Sequence, residues 1–287
     1  MPVPQIDTLT NFFPNGENTS LDILRLDLPD PIADGNKSYK LKYNLQEMQR
    51  LGLKRLLTFG GAFSNHIAAV ATAGKKNNLE TIGIIRGDEL NENSNVVLKL
   101  ATACGMKLVF VSREDYRKRN EKDFQKKLLE QFGPAYLLAE GGSNELAVKG
   151  CREILSQQTE KYDVLVCAVG TGATFAGIIS AAKNHQEIIG VAVLEGKNYL
   201  EQEVEKLLAK ENTIAKWGIN HDFTFGGYGK SSTTLHDFIS EMKNKHDLPL
   251  DPVYSAKTLF AIREMKKGIV LAKKQFLFIH TGGYAFT

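Results

Sequence analysis

The chain is poor in cysteine, has no long hydrophobic run and carries almost no excess charge. Its 287 residues include only Cys104, Cys151 and Cys167, whose spacing fits neither a disulfide framework nor a metal site. This use of cysteine is typical of a reducing compartment, so we expect a cytoplasmic protein. No segment approaches the roughly 18 uninterrupted apolar residues of a membrane helix, so we expect no membrane-spanning segment.

The balance of charge argues against two classes of macromolecular partner. The chain has 36 basic and 33 acidic residues, which gives a formal net charge of +3. This is too even to predict a nucleic-acid or membrane partner. The one basic run, RKRNEK at 117–122, is expected on the solvated face of a helix. The first residues, MPVPQIDTLTNFF, have neither a basic start nor a long apolar stretch, so we expect no signal peptide.

What the chain does contain is a regular alternation of short apolar strands and helices. The strand candidates lie at 54–59, 81–86, 107–111, 135–139, 163–169, 188–194 and 276–280. An amphipathic helix begins near Lys37, and further helix candidates lie at 66–77, 93–104, 114–132, 144–159, 174–185, 197–210, 231–245 and 256–267. Such alternation is typical of parallel sheets covered on both faces, so the pattern predicts an α/β fold with right-handed crossovers.

A lysine follows a short Asp-Gly-Asn turn at the start of the first of these helices. In DGNKSYKLKY, Lys37 comes directly after Gly35 and Asn36, and Lys40 and Lys42 follow closely. A lysine forms a Schiff base only as an accessible neutral amine, and a desolvated or cationic setting lowers its pKa. The alternative is a surface lysine in a turn that opens a helix. The local sequence alone favours that alternative.

A glycine- and threonine-rich turn joins the strand DVLVCAV to a helix of small apolar residues. The turn consists of Gly170, Thr171, Gly172, Ala173 and Thr174. Backbone N–H groups at a helix N-terminus, together with threonine hydroxyls, can hold a dianion. The alternative is a strand–helix turn that needs glycine for geometry alone. A reactive lysine plus a phosphate cradle is what a pyridoxal phosphate (PLP) enzyme requires.

A second strand also ends in glycines before a helix. The segment TFGGAFSNH at 58–66 places Ser64, Asn65 and His66 at the start of that helix, where Ser64 suits the N-cap position. The functional interpretation is that this helix N-terminus binds a substrate carboxylate, with the Ser64 hydroxyl and the Asn65 amide directed at the cofactor ring. His66 is either a capping residue or a proton relay, and the sequence does not decide between them.

Three late segments complete the set of motifs. FGGYG carries Tyr228, DPVYSAK carries Tyr254 and Ser255, and FIHTGG ends a strand at Thr281. A tyrosine among glycines is not needed for a hydrophobic core. Ser255 suits the cap of the helix at 256–267. A strand that ends in Thr-Gly-Gly suits the wall of a site, although it also suits an ordinary turn.

In chain order, GNKxxKL, GGxxSNH, strand–GTGAT–helix, Gly-Tyr-Gly, DPVY and HTGG resemble one family. This is the D-cysteine desulfhydrase / 1-aminocyclopropane-1-carboxylate (ACC) deaminase branch of the fold-type-II PLP enzymes, and the resemblance spans about 23–287. It implies two doubly wound open-sheet lobes with PLP between them, and a homodimer. It further implies a large PLP-binding domain of residues 1–40 and 143–287 and a small inserted domain of residues 41–142.

The resemblance also implies a role for each matching residue. Lys37 matches the lysine that holds PLP, Ser255 the position that faces the pyridine nitrogen, and Thr281 a substrate-side position. The implied cofactor-binding residues are Lys37, Asn65, Gly170, Thr171, Gly172, Ala173, Thr174 and Ser255. The implied substrate-binding residues are Ser64, Asn65, His66 and Thr281, and the implied catalytic residues are Lys37, Ser64, Tyr228 and Tyr254.

Two of these positions bear on the substrate. True ACC deaminases of this family carry glutamate after the DPVY tyrosine and leucine before the final Gly-Gly, whereas desulfhydrase-like members carry serine or threonine at both. This chain has Ser255 and Thr281. The resemblance therefore predicts α,β-elimination from a small D-amino acid, D-cysteine first, to pyruvate, ammonia and sulfide. ACC deamination, another PLP reaction such as β-replacement or racemisation, and a catalytically quiet PLP-binding protein are the alternatives.

The chain departs from the family pattern close to the lysine. Asp34 stands where the family has glycine, Tyr39 where it has arginine, and Lys42 where it has glutamate. We expect these changes to alter the surroundings of Lys37 and the substrate entrance rather than the fold or the cofactor.

Overall fold

Two β-sheets organise the chain. The structure is a computed structural model, and it describes residues 3–13, 20–28, 35–196, 198–265 and 274–283. The strands in these ranges are β1 (Gln5–Leu9), β2 (Leu21–Arg25), β3 (Arg55–Gly61), β4 (Glu80–Arg86), β5 (Lys107–Val111), β6 (Tyr136–Leu138), β7 (Val164–Val169), β8 (Glu187–Ala192), β9 (Lys216–Asn220) and β10 (Phe276–His280). The larger sheet has the order β1-β2-β10-β7-β8-β9 and the smaller the order β5-β4-β3-β6.

Helices follow most of the strands. They are α1 (Gly35–Arg50), α2 (Asn65–Asn77), α3 (Val96–Ala103), α4 (Arg113–Arg117), α5 (Lys122–Phe132), α6 (Glu145–Cys151), α7 (Ala173–Ala181), α8 (Tyr199–Leu208), α9 (Thr233–His246) and α10 (Ser255–Met265). Short 3₁₀ turns lie at Lys118–Asn120, Glu140–Gly142, Arg152–Ile154 and Gln157–Thr159. Within the described ranges, no helix combines the length and the apolar character that crossing a bilayer requires.

Both sheets are covered on both faces, which confirms the predicted α/β class. In β7, Leu165 and Cys167 face a core built with α6, α7 and α8, whereas Val164 and Val166 face a core built with α9 and α10. All six residues of β7 are buried. Burial of one valine or leucine side chain contributes about 1.5–3 kcal/mol to the stability of the fold. Because both faces of β7 are buried, apolar residues are favoured at every position, and the strand has one continuous apolar sequence.

The smaller sheet is covered in the same way. Helices α1, α2 and α3 pack on one face and α4 and α5 on the other. Its strands pair in parallel. All four lie between Arg55 and Leu138, within the segment 41–142 that we predict as the inserted domain. The exact domain limits stay a prediction.

Three strands were not predicted, and all three lie at or next to an edge of the larger sheet. The outermost pair, β1 and β2, is antiparallel, unlike the parallel pairs beside it. The opposite edge, β9 with sequence KWGIN, has no fully buried residue. Trp217 and Ile219 of β9 pack on the core of α6, α7 and α8, and a strand covered on one side needs fewer apolar residues, so its sequence has no continuous apolar run to detect.

Two predicted helices are interrupted. The segment 114–132 is divided into α4, a 3₁₀ turn and α5, and the segment 144–159 contains only α6 followed by two 3₁₀ turns. The first break falls within the charged run 117–122, where no apolar period sustains one helix face. Parts of two other predicted helices, at residue 197 and at 266–267, lie outside the described residues.

The carboxyl ends of β3, β6, β7 and β10 come together. Each of these strands runs into a segment that is rich in glycine: Gly60-Gly61, Gly141-Gly142, Gly170-Thr171-Gly172 and Gly282-Gly283. In open α/β sheets, ligands bind outside the carboxyl ends of the strands, because the loops and helix N-termini found there expose backbone groups. The topology therefore favours a functional site in the space between the two sheets.

Candidate active site

A cavity of about 580 Å³ lies between the two sheets, at these strand ends. Its volume is in the range of small-molecule sites. Eleven of the thirteen predicted site residues line it, namely Lys37, Ser64, Asn65, His66, Gly170, Thr171, Gly172, Thr174, Tyr228, Tyr254 and Thr281. Ala173 and Ser255 are not among the lining residues. The structure thus brings together motifs from both sheets, while the roles of their residues stay predictions.

Lys37 is tied to the glycine–threonine turn by one intervening side chain. Its Nζ donates to Oδ1 of Asn36 at 2.9 Å, and Nδ2 of Asn36 donates to Oγ1 of Thr174 at 2.8 Å. Burial, and after it the charge of Lys40, lower the pKa of Lys37 to about 7. Because Lys37 also lines the cavity, it combines the two properties of a nucleophilic lysine, access and an available neutral amine.

A second lysine of α1 reaches the same turn. Lys40 is buried, and its Nζ donates to the carbonyl oxygen of Gly141 at 2.9 Å and to Oγ1 of Thr171 at 3.4 Å. The Ser143 hydroxyl lies 2.7 Å from the same Oγ1. Gly172, with φ of +86°, begins α7 directly beside them. The amine of Lys40 and the N-terminus of α7 together therefore form a site for an anion. From the sequence, Lys40 was expected only as a neighbour of Lys37, and nothing indicated Ser143.

The Ser64-Asn65-His66 segment differs from its simplest interpretation. Ser64 occupies the N-cap position of α2, but its side chain makes no capping hydrogen bond, so the hydroxyl is available to a ligand in the cavity. The Oγ1 of Thr58 donates to the carbonyl oxygen of Leu138 at 2.9 Å and lies 2.7 Å from Nε2 of His66. This arrangement places the imidazole proton on Nε2.

His66 is consequently a fixed, neutral imidazole. Burial, and then the charges of Lys37 and Lys40, lower its pKa well below the ordinary value. Its buried Nδ1 has no hydrogen-bond partner in the described structure. It therefore does not cap α2, and it is an unpaired acceptor beside the cavity. An unpaired buried polar atom of this kind is unfavourable and is commonly satisfied by a bound ligand or water.

Two tyrosines from the larger sheet line the other side of the cavity. The rings of Tyr228 and Tyr254 pack edge to face with centroids 6.2 Å apart, and Nζ of Lys37 lies 6.0 Å from the centroid of Tyr254. Burial, and then the neighbouring Tyr228, raise the pKa of Tyr254 well above 10. Burial also raises the pKa of Tyr228. Both phenols thus keep their protons at neutral pH and can donate them.

Ser255 does not cap α10 as predicted. The cap is Asp251, whose carboxylate accepts the backbone N–H groups of Val253, Tyr254 and Ser255 at 2.9, 2.6 and 2.9 Å. Ser255 is the first residue of α10 and is buried, and its hydroxyl donates to Oδ2 of Asp251 at 2.6 Å. That Ser255 faces a pyridine nitrogen remains a prediction from the family resemblance.

The sequence did not identify a polar cluster on the small-sheet side of the cavity. The Tyr116 hydroxyl donates to Oε1 of Glu140 at 2.7 Å, and Nε of Arg119 lies 2.8 Å from Oε2 of Glu140. Arg119 lines the cavity, so the prediction of a solvated face for 117–122 is wrong for this residue. A signal for Glu140 did exist, because AEGGSN at 139–144 repeats the pattern of a strand followed by Gly-Gly and then Ser-Asn.

Two of the three departures from the family pattern lie away from the cavity, so for them the expected effect on the surroundings of Lys37 is not found. Tyr39 is buried in the hydrophobic core of the larger sheet, and Lys42 pairs with Glu153 at the surface. Neither residue lines the cavity. Asp34 lies outside the described residues. The surroundings of Lys37 are formed instead by Asn36, by the neighbouring lysine of α1 and by the tyrosine at the start of α10.

Comparison with a family model identifies the class of protein. The model described as "Pyridoxal-phosphate dependent enzyme" matches residues 35–282. This range is most of the chain and contains every motif that lines the cavity. The chain therefore belongs to the PLP-dependent enzymes of this family, as the resemblance predicted.

Similarity to individual proteins narrows the family. A Thermotoga maritima protein named "Putative 1-aminocyclopropane-1-carboxylate deaminase" is 31% identical over 91% of this chain and 88% of its own length. A bifunctional D-cysteine desulfhydrase/1-aminocyclopropane-1-carboxylate deaminase of Arabidopsis thaliana is 29% identical over 94% of this chain and 73% of its own. A solved structure described as an ACC deaminase homologue superposes with a TM-score of 0.77 at 27% identity, covering 93% of this chain and 86% of its own. The chain belongs to this deaminase and desulfhydrase branch.

The residues of the cavity fit PLP. Lys37 presents an amine for the cofactor aldehyde, and Lys40 and Thr171 stand at a helix N-terminus that suits the phosphate. Asn65 and the unpaired Nδ1 of His66 offer polar groups on the small-sheet side. The aldehyde and the phosphate of the cofactor are thus each met by side chains that line this cavity.

The lowered pKa of Lys37 predicts how cofactor uptake depends on pH. The neutral amine is the nucleophile, so the rate at which the cofactor-free protein turns yellow with PLP should rise through a pKa of about 7 and level off above it. An ordinary lysine, with a pKa of 10.5, would keep accelerating well above pH 8. Stopped-flow absorbance between pH 5.5 and 9 measures this profile. A rate that still climbs tenfold per pH unit above pH 8 would contradict the setting we assign to Lys37.

Proposed function

We propose that this protein catalyses α,β-elimination from a small D-amino acid, with D-cysteine as its substrate and pyruvate, ammonia and sulfide as its products. The observation that carries this proposal is the placement of an available amine and a protonated phenol in one cavity, with Nζ of Lys37 6.0 Å from the ring of Tyr254. Elimination needs such a pair, because one group removes a proton and another can protonate the leaving group.

The substrate carboxylate would bind at the N-terminus of α2. The backbone N–H groups there favour an anion, and the Ser64 hydroxyl is not used as a cap. Asn65 follows at the first position of the helix and also lines the cavity. These two residues would orient the amino acid so that its α-hydrogen points towards Lys37.

Proton transfers would then fall to Lys37 and the tyrosines. When bound, PLP supplies the electron sink for the negative charge at the substrate Cα. The neutral amine of Lys37 takes the α-proton, and the phenol of Tyr254 or Tyr228 gives a proton to the departing sulfur. A homodimer and a cytoplasmic location remain predictions.

ACC deamination is the second candidate, and a specific observation favours it. Ser255 gives its hydroxyl proton to Asp251, so its remaining lone pair can only accept a hydrogen bond. If Ser255 faces the ring nitrogen as the family resemblance predicts, this hydroxyl would favour a protonated nitrogen, much as a glutamate does. That effect weakens the argument from Ser255 against ACC. The names of the similar proteins include both activities.

Product analysis with a panel of substrates tests the proposal. Purified protein with PLP is given D-cysteine, L-cysteine, D-serine, β-chloro-D-alanine and ACC in parallel, and sulfide, pyruvate and 2-oxobutyrate are measured. We expect sulfide and pyruvate from D-cysteine, with kcat/KM at least roughly tenfold above that for ACC, which corresponds to about 1.4 kcal/mol. Comparable 2-oxobutyrate from ACC would favour the second candidate. A yellow protein without any product would contradict both.

A further inference from the structure

A buried lysine on α10 takes no part in the proposed elimination reaction. Lys257 has no solvent-exposed surface, and its Nζ donates to the carbonyl oxygens of Thr224 at 2.7 Å and of Gly227 at 2.8 Å. No ion pair with a carboxylate is found for Lys257 in the described part of the chain. Burial of an amine is costly, and in the described structure the two carbonyl bonds, together with the charge of Asp251, compensate for it.

Both carbonyls belong to the connection between β9 and α9, which has an unusual backbone. Phe225, Gly226, Gly227 and Gly229 all have positive φ, at 50°, 87°, 100° and 71°. Phe225 is not glycine, so its left-handed conformation is strained and needs support from its surroundings.

Lys257 bonds the carbonyls on which the turns of this segment depend. The N–H of Gly227 donates to the carbonyl of Thr224 at 3.0 Å, and the N–H of Lys230 donates to the carbonyl of Gly227 at 3.2 Å. Each of these two acceptors therefore serves one turn and Lys257 at once. One lysine thus ties two successive turns to α10, while the ring of Phe225 packs on Phe260 of the same helix, with centroids 5.3 Å apart.

Tyr228 is the residue that these turns place in the cavity. Tyr228 directly follows Gly227, and its side chain is 38% exposed. Its ring contacts that of Tyr254, the residue that directly precedes α10. Because α10 also carries Lys257, the two carbonyl bonds of this lysine connect the segment of Tyr228 to the helix that begins directly after Tyr254. A tyrosine at a glycine-rich segment would otherwise have a wide choice of positions.

We propose that Lys257 is a positioning residue that holds Tyr228 in the active site by clamping the carbonyls of Thr224 and Gly227 to α10, an inference that rests on the proposed role of Tyr228. Burial lowers the pKa of Lys257 to about 8. The neutral amine still has two hydrogens, so both bonds can survive deprotonation. The clamp is accordingly not a pH switch.

The test combines a structural readout with a double-mutant cycle. Lys257→Met keeps the length of the side chain and removes both donors. We expect amide hydrogen exchange of residues 224–229 to become at least tenfold faster, and kcat for D-cysteine to fall at least tenfold. If Lys257 acts through Tyr228, the double variant with Tyr228→Phe should be no slower than Tyr228→Phe alone. Ile262→Val, a conservative change of a buried residue on the same helix that removes no hydrogen-bond donor, is the matched control and should alter neither quantity.

The outcomes separate the clamp from the proposed function. Unchanged exchange at 224–229 in Lys257→Met overturns the clamp. An equal loss of kcat on adding Lys257→Met to Tyr228→Phe also overturns it, because Lys257 then acts by another route. Faster exchange together with a fully active Tyr228→Phe enzyme supports the clamp and contradicts the catalytic role of Tyr228. If Lys257→Met does not fold, Lys257→Gln, which keeps a shorter donor, should show the same effects to a smaller degree.

Discussion

Lys37→Ala should abolish turnover, with a loss of roughly 10⁴-fold or more in kcat, because the variant lacks the amine that we propose to bind the cofactor aldehyde and to take the α-proton. The yellow colour of the protein with PLP should disappear as well. Kinetics with D-cysteine and the absorption spectrum of the purified variant measure the two effects. No other group on α1 can substitute, because the amine of Lys40 is held by Gly141 and Thr171.

The same helix offers a matched control. Lys42 lies five residues after Lys37, but its side chain pairs with Glu153 at the surface and does not line the cavity. Lys42→Ala should therefore leave colour and kcat within about twofold of the original protein, since loss of a surface ion pair costs about 0–1 kcal/mol. A Lys37→Ala variant that kept a tenth of the activity would show that another group performs the chemistry.

Some parts of the site could be predicted from the sequence, and others could not. A strand buried on both faces leaves a continuous apolar run, and the glycines after it mark the place where the chain turns towards a ligand. The turn at 170–174 was found on this basis, whereas Lys37 was noted in its Gly-Asn-Lys turn and received its role from the family resemblance. Their connection was not found, because the bond from Asn36 to Thr174 joins residues 138 positions apart, and no local period records such a contact.

The residues that the sequence analysis missed are mostly charged groups that the fold buries. Lysine is usually a surface residue, but Lys40 and Lys257 are buried, and their amines are bonded by carbonyl oxygens that lie far away in the sequence. Glu140 lines the cavity, and its carboxylate is fixed by Tyr116 of α4 and by Arg119 of the following 3₁₀ turn. Pairings of this type follow from tertiary packing, which hydropathy does not describe.

The position of the first turn of α1, which carries Lys37, depends on one glycine. Gly35 has φ of +59°, and a Cβ added there would lie 2.6 Å from the carbonyl oxygen of Thr281. The N–H of Asn36 donates to that same carbonyl at 2.9 Å, and the N–H of Gly35 donates to the carbonyl of Leu26 at 2.9 Å. The helix that carries Lys37 is thus docked directly on the end of β10 through backbone contacts.

Gly35→Ala should consequently damage both stability and cofactor binding. The left-handed conformation alone costs an alanine about 1–2 kcal/mol. The contact with a backbone oxygen cannot be relieved by a side-chain rotation, so α1 must shift, and we expect a total loss of about 3 kcal/mol or more in the free energy of unfolding. The shift would also displace Lys37, so the affinity for PLP should fall at least tenfold. Urea denaturation and titration with PLP measure the two effects.

Gly52→Ala separates conformational strain from the contact. Gly52 also has a left-handed φ, of +67°, but a Cβ added there would meet nothing within 4 Å. Its substitution should cost only the strain of about 1–2 kcal/mol and leave the affinity for PLP unchanged. If the two variants lost equal stability and bound PLP equally well, α1 would not be docked on β10 through Gly35. The position of Lys37 beside the glycine–threonine turn would then need another explanation, because that docking is what places the first turn of α1 against the cavity.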